Sequence, residues 1–237
     1  SYARQVVEQT NLLEERYKSH TETRELFSVS SQHYAFVVNA FVSLLKRADM
    51  TRYELFLRET RTYEIIEDVK NFRSEIGVLF LNSYNRDVLT KMFDDNRLTY
   101  TSLFKARPHI FVSKSNPLAK HEVVSLEDLE DFPYLSYDQG IHNSFYYSEE
   151  ILSQIPHKKS IVVSDRATLF NLLIGLDGYT IATGILNSNL NGDNIVSIPL
   201  DIDDEIDIVY LKHEKATLSK MGEKFLDNLV KEVTFDN

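Results

Sequence analysis

The chain has 237 residues, 43% of them hydrophobic and 26% charged, enough for one large domain or two small ones around a sizeable core. Its formal net charge of -10, from 26 Lys and Arg against 36 Asp and Glu, excludes a chain that grips a nucleic-acid backbone by itself, since that needs clustered cations. Cysteine is absent, which excludes disulfides, thiolate metal sites and cysteine nucleophiles together, and 7 Gly with 5 Pro leave no fibrous or low-complexity reading.

No apolar run approaches the length of a membrane span. The first twenty residues, SYARQVVEQTNLLEERYKSH, carry charges throughout and no apolar h-region, so they do not read as a secretory signal and a reducing cytoplasm is expected. Residues 2–17 read as a solvated helix, and KSHTETR after them reads as a linker.

Alternation then begins. A strand over 26–30 leads into a helix that sets Tyr34, Val37, Val38, Phe41, Leu44 and Leu45 on one face. YELFLRE (53–59) reads as a second strand and TYEIIEDVKNF (62–72) as a second helix. IGVLFL (76–81) is continuously apolar, as a buried parallel strand should be, and a helix follows over 86–94. LTYTSLFKARPHIFVS suggests two strands bent at Pro108. Ser125 with Asp128 has capping-box spacing, YLSY (134–137) is strand-like, and 142–153 is expected to be helical. A strand over 160–164 enters a helix over 165–174 that Gly175 and Gly178 should end, and another strand follows over 179–183. NIVSIPL and EIDIVYL are strands, and a helix over 219–233 closes the chain.

The expected class is therefore α/β: two Rossmann-like βαβαβ lobes in tandem, connected near Leu98 and again near Pro199. Two lobes with a double crossover enclose a cleft, and ligands bind at the carboxyl ends of such strands.

Catalytic signatures are missing. The sequence has no G-x-G-x-x-G, no P-loop and no G-x-S-x-G, and its seven histidines show no H-x-x-x-H spacing, so no catalytic residue, metal or cofactor is assigned. Acid pairs such as Asp94-Asp95 and Glu149-Glu150 are expected on solvated faces. What does recur is a small hydroxyl residue where a strand meets a helix: Ser30-Ser31-Gln32, Thr60-Arg61-Thr62 and Ser164-Asp165-Arg166. Helix N-termini attract anions and hydroxyls add donors, so these junctions read as a pocket; plain N-capping is the competing reading. Arg61 would add a positive charge. Tyr137 and Gln139 would close the far wall or lie on ordinary surface, and His33 would serve a ligand or the core. The run SFYYSEEIL (144–152) is either an interface or packs on its own lobe. Ser30 and Ser31 are expected both to cap and to bind, and Ser31→Ala to cost about 1 kcal/mol as a lost cap.

These residues resemble the effector-binding part of LysR-type transcriptional regulators, without their winged helix-turn-helix. YARQVVEQTNLLEERY is similar to the end of that family's linker helix, SVSSQHYAFVVNAFVSLL to its first regulatory strand and helix, and FRSEIGVLFL to its acidic-apolar-Gly motif with Glu75 where Asp is usual. SKSNPLAKHEVVSLEDLEDFPYLSY is the most specific match. GLDGYTIATGIL resembles the Gly-rich strand of the second lobe, with Thr183-Gly184 where a hydrophobic-Pro ending is common. SSQHYAFVVNAF further resembles a branch in Gram-positive cocci tied to methionine uptake and capsule traits.

The resemblance implies a type II periplasmic-binding-protein-like fold. It divides the chain into a linker-helix remnant (1–20), lobe I (21–98 plus 200–237) and lobe II (99–199). It also implies a small-molecule coinducer, polar or anionic and of amino-acid or sulfur-metabolite type. The pocket would use Ser30, Ser31, Gln32, Thr60, Arg61, Thr62, Phe80 and Tyr137; Ser164 joins them from the junction pattern. Homodimers, tetramers of the full-length protein, and DNA contact only through the absent N-terminal domain are implied as well. Two other classes share the architecture: a solute-binding protein of a transporter, and an enzyme on a similar scaffold.

Overall fold

A computed structural model describes residues 25–47, 53–186 and 192–234. The expected solvated helix, the linker and the linker-helix remnant lie outside the described residues.

In chain order the first part comprises β1 (Glu25–Ser31), α1 (Ala35–Arg47), β2 (Tyr53–Glu59), α2 (Thr62–Lys70), β3 (Ile76–Leu81), α3 (Arg86–Asp95) and β4 (Leu98–Ala106). Then come β5 (His109–Ser113), β6 (Tyr134–Tyr137), β7 (Ser160–Val163), α4 (Arg166–Leu176), β8 (Tyr179–Ala182) and β9 (Ile195–Pro199). The chain returns through β10 (Ile206–His213) and ends in α5 (Lys220–Thr234). The strands build two sheets of five, ordered β2-β1-β3-β10-β4 and β7-β6-β8-β5-β9. The architecture is the expected α/β pair of lobes, but the chain first passes between them at Arg107–Pro108 rather than near Leu98, because β4 pairs with β10 in the first sheet; it returns between β9 and β10.

The first sheet is a three-layer sandwich. On one face α1 and α5 cover Phe27, Val29, Val78 and Phe80; on the other, α2 and α3 cover Leu79, Leu81, Val209 and Leu211. β3 is buried along its whole length because it lies between β1 and β10 with helices on both faces. Gly77 is what lets α2 approach β3: a Cβ there would stand 2.8 Å from Ile65 Cγ2 and 2.9 Å from Val69 Cγ2. In α5, Met221, Phe225 and Leu229 recur every four residues and are buried against this core. In the second lobe α4 covers one sheet face with Leu169 and Leu173 over Phe111, Leu135 and Val163.

Three expectations need correction. Residues 142–153 are not a helix: only Phe145–Tyr147 form a 3-10 turn, and Leu152 takes a φ of 60°. α4 runs on through Gly175 to Leu176, and the left-handed residue that ends it is Asp177, not a glycine. The Ser125–Asp128 box does form, with Asp128 accepting from the Ser125 amide at 2.8 Å, but it opens a 3-10 turn rather than an α-helix.

Candidate functional site

A cavity of about 50 Å³ lies between the lobes, at the N-terminal end of α1. The first lobe contributes His33, Tyr34, Phe36, Phe80 and Ile206; the second contributes Phe111, Tyr137, Glu149, Glu150, Arg166, Leu169 and Thr180. Its lining is mostly apolar with a few polar and charged groups, the usual make-up of a small-molecule site.

The nine residues singled out from the sequence separate once placed. Phe80 and Tyr137 line the cavity. Ser31 is buried with its Oγ unbonded, and by strand alternation it shares the α1 side of β1 with Val29. Its hydroxyl therefore caps nothing, against the expectation of a capping role. Ser30 points to the other face, where its Oγ donates to Asp68 Oδ2 at 2.6 Å and lies 2.8 Å from Ser74 Oγ. Gln32 is fully engaged: its Nε2 donates to Thr62 Oγ1 at 2.7 Å, and its Oε1 accepts from the Tyr34 hydroxyl at 2.6 Å and the Phe80 amide at 3.1 Å. Thr60 donates its amide to the Ser31 carbonyl at 2.9 Å. Ser164 is exposed, one residue before Asp165, which caps α4 through the Thr168 amide at 2.8 Å.

Arg61 and Thr62 face the second lobe instead of open cleft. The Arg61 Nε donates to the Asp138 carbonyl at 3.0 Å and Nη2 to the Asp138 carboxylate at 2.5 Å. Gly140 makes room for this: at φ 61° it is in the left-handed region, and a Cβ would stand 2.7 Å from Arg61 Nη1. The Thr62 amide, the first free donor of α2, donates to Gln139 Oε1 at 3.1 Å.

At α1 the second lobe supplies an anion. Glu149 accepts from the His33 amide at 2.9 Å and lies 2.9 Å from His33 Nδ1, and Gln139 Nε2 donates to its other oxygen at 3.1 Å. Tyr137 stacks on the His33 ring with centroids 4.0 Å apart. Burial opposes the charged imidazole, but the hydrogen bond and charge of Glu149 outweigh it, and the His33 pKa is raised. Arg166 Nε lies 3.2 Å from Glu59 Oε1, a further link between the lobes. The helix N-termini that attract an anion on sequence grounds are thus met by the chain's own Glu149 and Gln139.

Glu149 and Glu150 are the residues that sequence reasoning misplaced. Both are buried, whereas Asp94 and Asp95 are exposed as expected. Glu150 is 3% exposed, and burial first, then the neighbouring Glu149, hold its carboxyl well above the usual carboxylate range. The signal available was position: two acids directly before Ile151 and after a tyrosine pair are flanked by groups that seek cover. Those tyrosines pack across the cleft, against the expectation that they cover their own lobe or an interface. Tyr146 stacks on Tyr84 at 4.8 Å, and the Tyr147 hydroxyl reaches Met92 Sδ at 3.4 Å.

A family model described as the LysR substrate binding domain matches residues 30–234. Among solved structures, HinK, a LysR family transcriptional regulator from Pseudomonas aeruginosa, is 14% identical. It covers 98% of this chain and 78% of its own, with a TM-score of 0.57. The effector binding domain of QuiR in complex with shikimate is 16% identical, covering 88% and 97%, with a TM-score of 0.57. A Corynebacterium glutamicum OxyR mutant is 13% identical, covering 99% and 72%, with a TM-score of 0.64. At these identities the likeness is one of fold. No curated protein sequence matches the chain.

Proposed function

The chain belongs to the LysR substrate-binding domain family, and on that footing we propose that its inter-lobe cavity is the site of a small polar metabolite that acts as coinducer. The domain is an effector-binding regulatory module and not an enzyme. The observation that carries the proposal is the cavity itself, lined by residues of both lobes, with polar groups at the start of α1 among them. A ligand that touches both lobes stabilises one inter-lobe geometry, and its differential affinity sets how far the population moves. Phe80 and Tyr137 would contact it directly, while Ser31 lies buried at the end of β1. Ser30, Gln32, Thr60, Arg61, Thr62 and Ser164 would act by holding the frame around it.

The same reading makes this domain the regulatory part of a cytoplasmic, homodimeric regulator that does not itself hold DNA. Among the described residues, no helix is long and apolar enough to cross a membrane.

A thermal-shift screen against amino acids, sulfur metabolites and simple organic acids tests the proposal. A ligand at about 100 times its dissociation constant adds about 2.7 kcal/mol, several degrees in midpoint for a chain of this size. Stabilisation confined to one chemical class and lost in Tyr137→Ala is the expected result. Stabilisation that survives Tyr137→Ala would place the ligand elsewhere. Light scattering separates the regulator reading, which expects a dimer, from a transporter's solute binder, which expects a monomer.

A further inference from the structure

We infer that the ligand of the inter-lobe cavity carries a protonated amine on a short apolar body, and that Glu150 receives the amine. The inference rests on the effector-cavity reading above and names the chemical class of the effector.

One acid at the cavity has no cation of its own. Three carboxyl groups meet two basic groups there, and each basic group has its own acid: Arg166 with Glu59 at 3.2 Å, His33 with Glu149 at 2.9 Å. Glu150 is the third acid. Its Oε1 accepts from the Tyr137 amide at 2.9 Å, while its Oε2 has no hydrogen-bond partner although the residue is 97% shielded from solvent, being 3% exposed. Buried polar atoms without partners are rare, and an unfilled ligand position is one of the few reasons for one.

Alternatives to an amine fit less well. A carboxylate ligand would sit beside Glu149 with both nearby cations already paired. A neutral hydroxyl would satisfy the orphan oxygen but bring Glu150 no cation. A primary ammonium donates to Oε2 and draws the proton of Glu150 off to solvent, which converts a neutral acid into one half of a charge-assisted hydrogen bond. In a mostly apolar cavity that bond is stronger than at the surface. Phe36, Phe80, Phe111 and Leu169, which also line the cavity, offer the apolar remainder of the site.

Three probes with one alkyl body test the inference: n-butylammonium, n-butanol and butyrate, titrated into the isotope-labelled chain and followed by amide chemical shifts. The ammonium should move the amides of Tyr137, Glu150 and Thr180 and bind at least about tenfold more tightly than the other two, as a charged hydrogen bond implies. Glu150→Gln should keep the unliganded spectrum and lose that preference. If butyrate or butanol binds at these amides as tightly as the ammonium, the charge assignment is overturned and the cavity reading stands. An ammonium preference that persists in Glu150→Gln overturns the role of Glu150. Silence from all three probes overturns the inference and counts against the cavity as a ligand site.

Discussion

At the end of β1, two adjacent serines with the same side chain do opposite things. Ser30 donates into a buried cluster with Asp68 and Ser74, and the Asp68 carboxylate is also held by Arg73. Ser31 is buried with nothing bonded to its hydroxyl. Ser30→Ala should therefore cost about 1–3 kcal/mol, because it strips a partner from a buried carboxylate. Ser31→Ala should cost less than about 0.5 kcal/mol, since no bond is lost. Urea unfolding of both variants checks the contrast; equal losses would contradict the assignment of faces. Hydroxyls at a strand end were legible in the sequence, but which face each one takes depends on register, and a one-residue shift exchanges them.

His33 also acts at the scale of one residue. Its folded pKa lies above the ordinary value of about 6.5. The ring gains stability from Glu149 while protonated, fully so below about pH 6.5, and loses it as pH rises through the folded pKa. Melting points should fall from pH 6 to pH 8, and His33→Gln should flatten that fall. Glu59 and Glu150, both raised chiefly by burial, pull in the same direction, so the difference between wild type and variant is the quantity to read.

Among the elements, those whose residues are governed by local pattern were the legible ones. β2, β3 and β6 coincide with their sequence-read bounds; β3, flanked by strands on both sides, shows it as a continuous apolar run, while β2 is the edge strand of its sheet. The segment at 142–153 was not legible. Its aromatics stand in a row ahead of an acid pair, and these side chains are satisfied by partners on the other lobe: Tyr84, Met92 and His33. Long-range partners override local propensity here.

α2 shows the same dependence in a helix that does form. Arg61 occupies the N-cap position without a side-chain cap bond, and the missing acceptor comes from Gln139, 77 residues away in sequence. Gln139→Ala should cost about 1 kcal/mol, the usual worth of a cap. It should also speed hydrogen exchange at Thr62 while leaving α4, which caps itself through Asp165, unchanged. Loss of protection in both helices would mean that global destabilisation, not a lost cap, is being measured.

Taken as a whole, the molecule holds its cleft closed with its own side chains. Glu149, Gln139 and Asp138 of one lobe reach His33, Thr62 and Arg61 of the other. The Arg61–Asp138 pair is partly exposed, with side chains 38% and 42% accessible, and contributes little by itself. The buried His33–Glu149 contact is the stronger tie and lies against the cavity wall. Two lobes, their order and the cleft between them followed from strand-helix alternation. That the cleft would close on its own acidic loop did not, because Glu149 and Glu150 carry no local mark of burial beyond their apolar neighbours.

The central claim is that an effector occupies the cavity between His33, Tyr137 and Glu150. The most direct test is hydrogen–deuterium exchange of the chain with and without the metabolite that stabilises it most in the thermal screen. The account predicts added protection on both walls at once, over residues 32–37 and 134–151, with the outer edge strand β2 unchanged. Protection confined to one lobe, or centred away from these two segments, would contradict it.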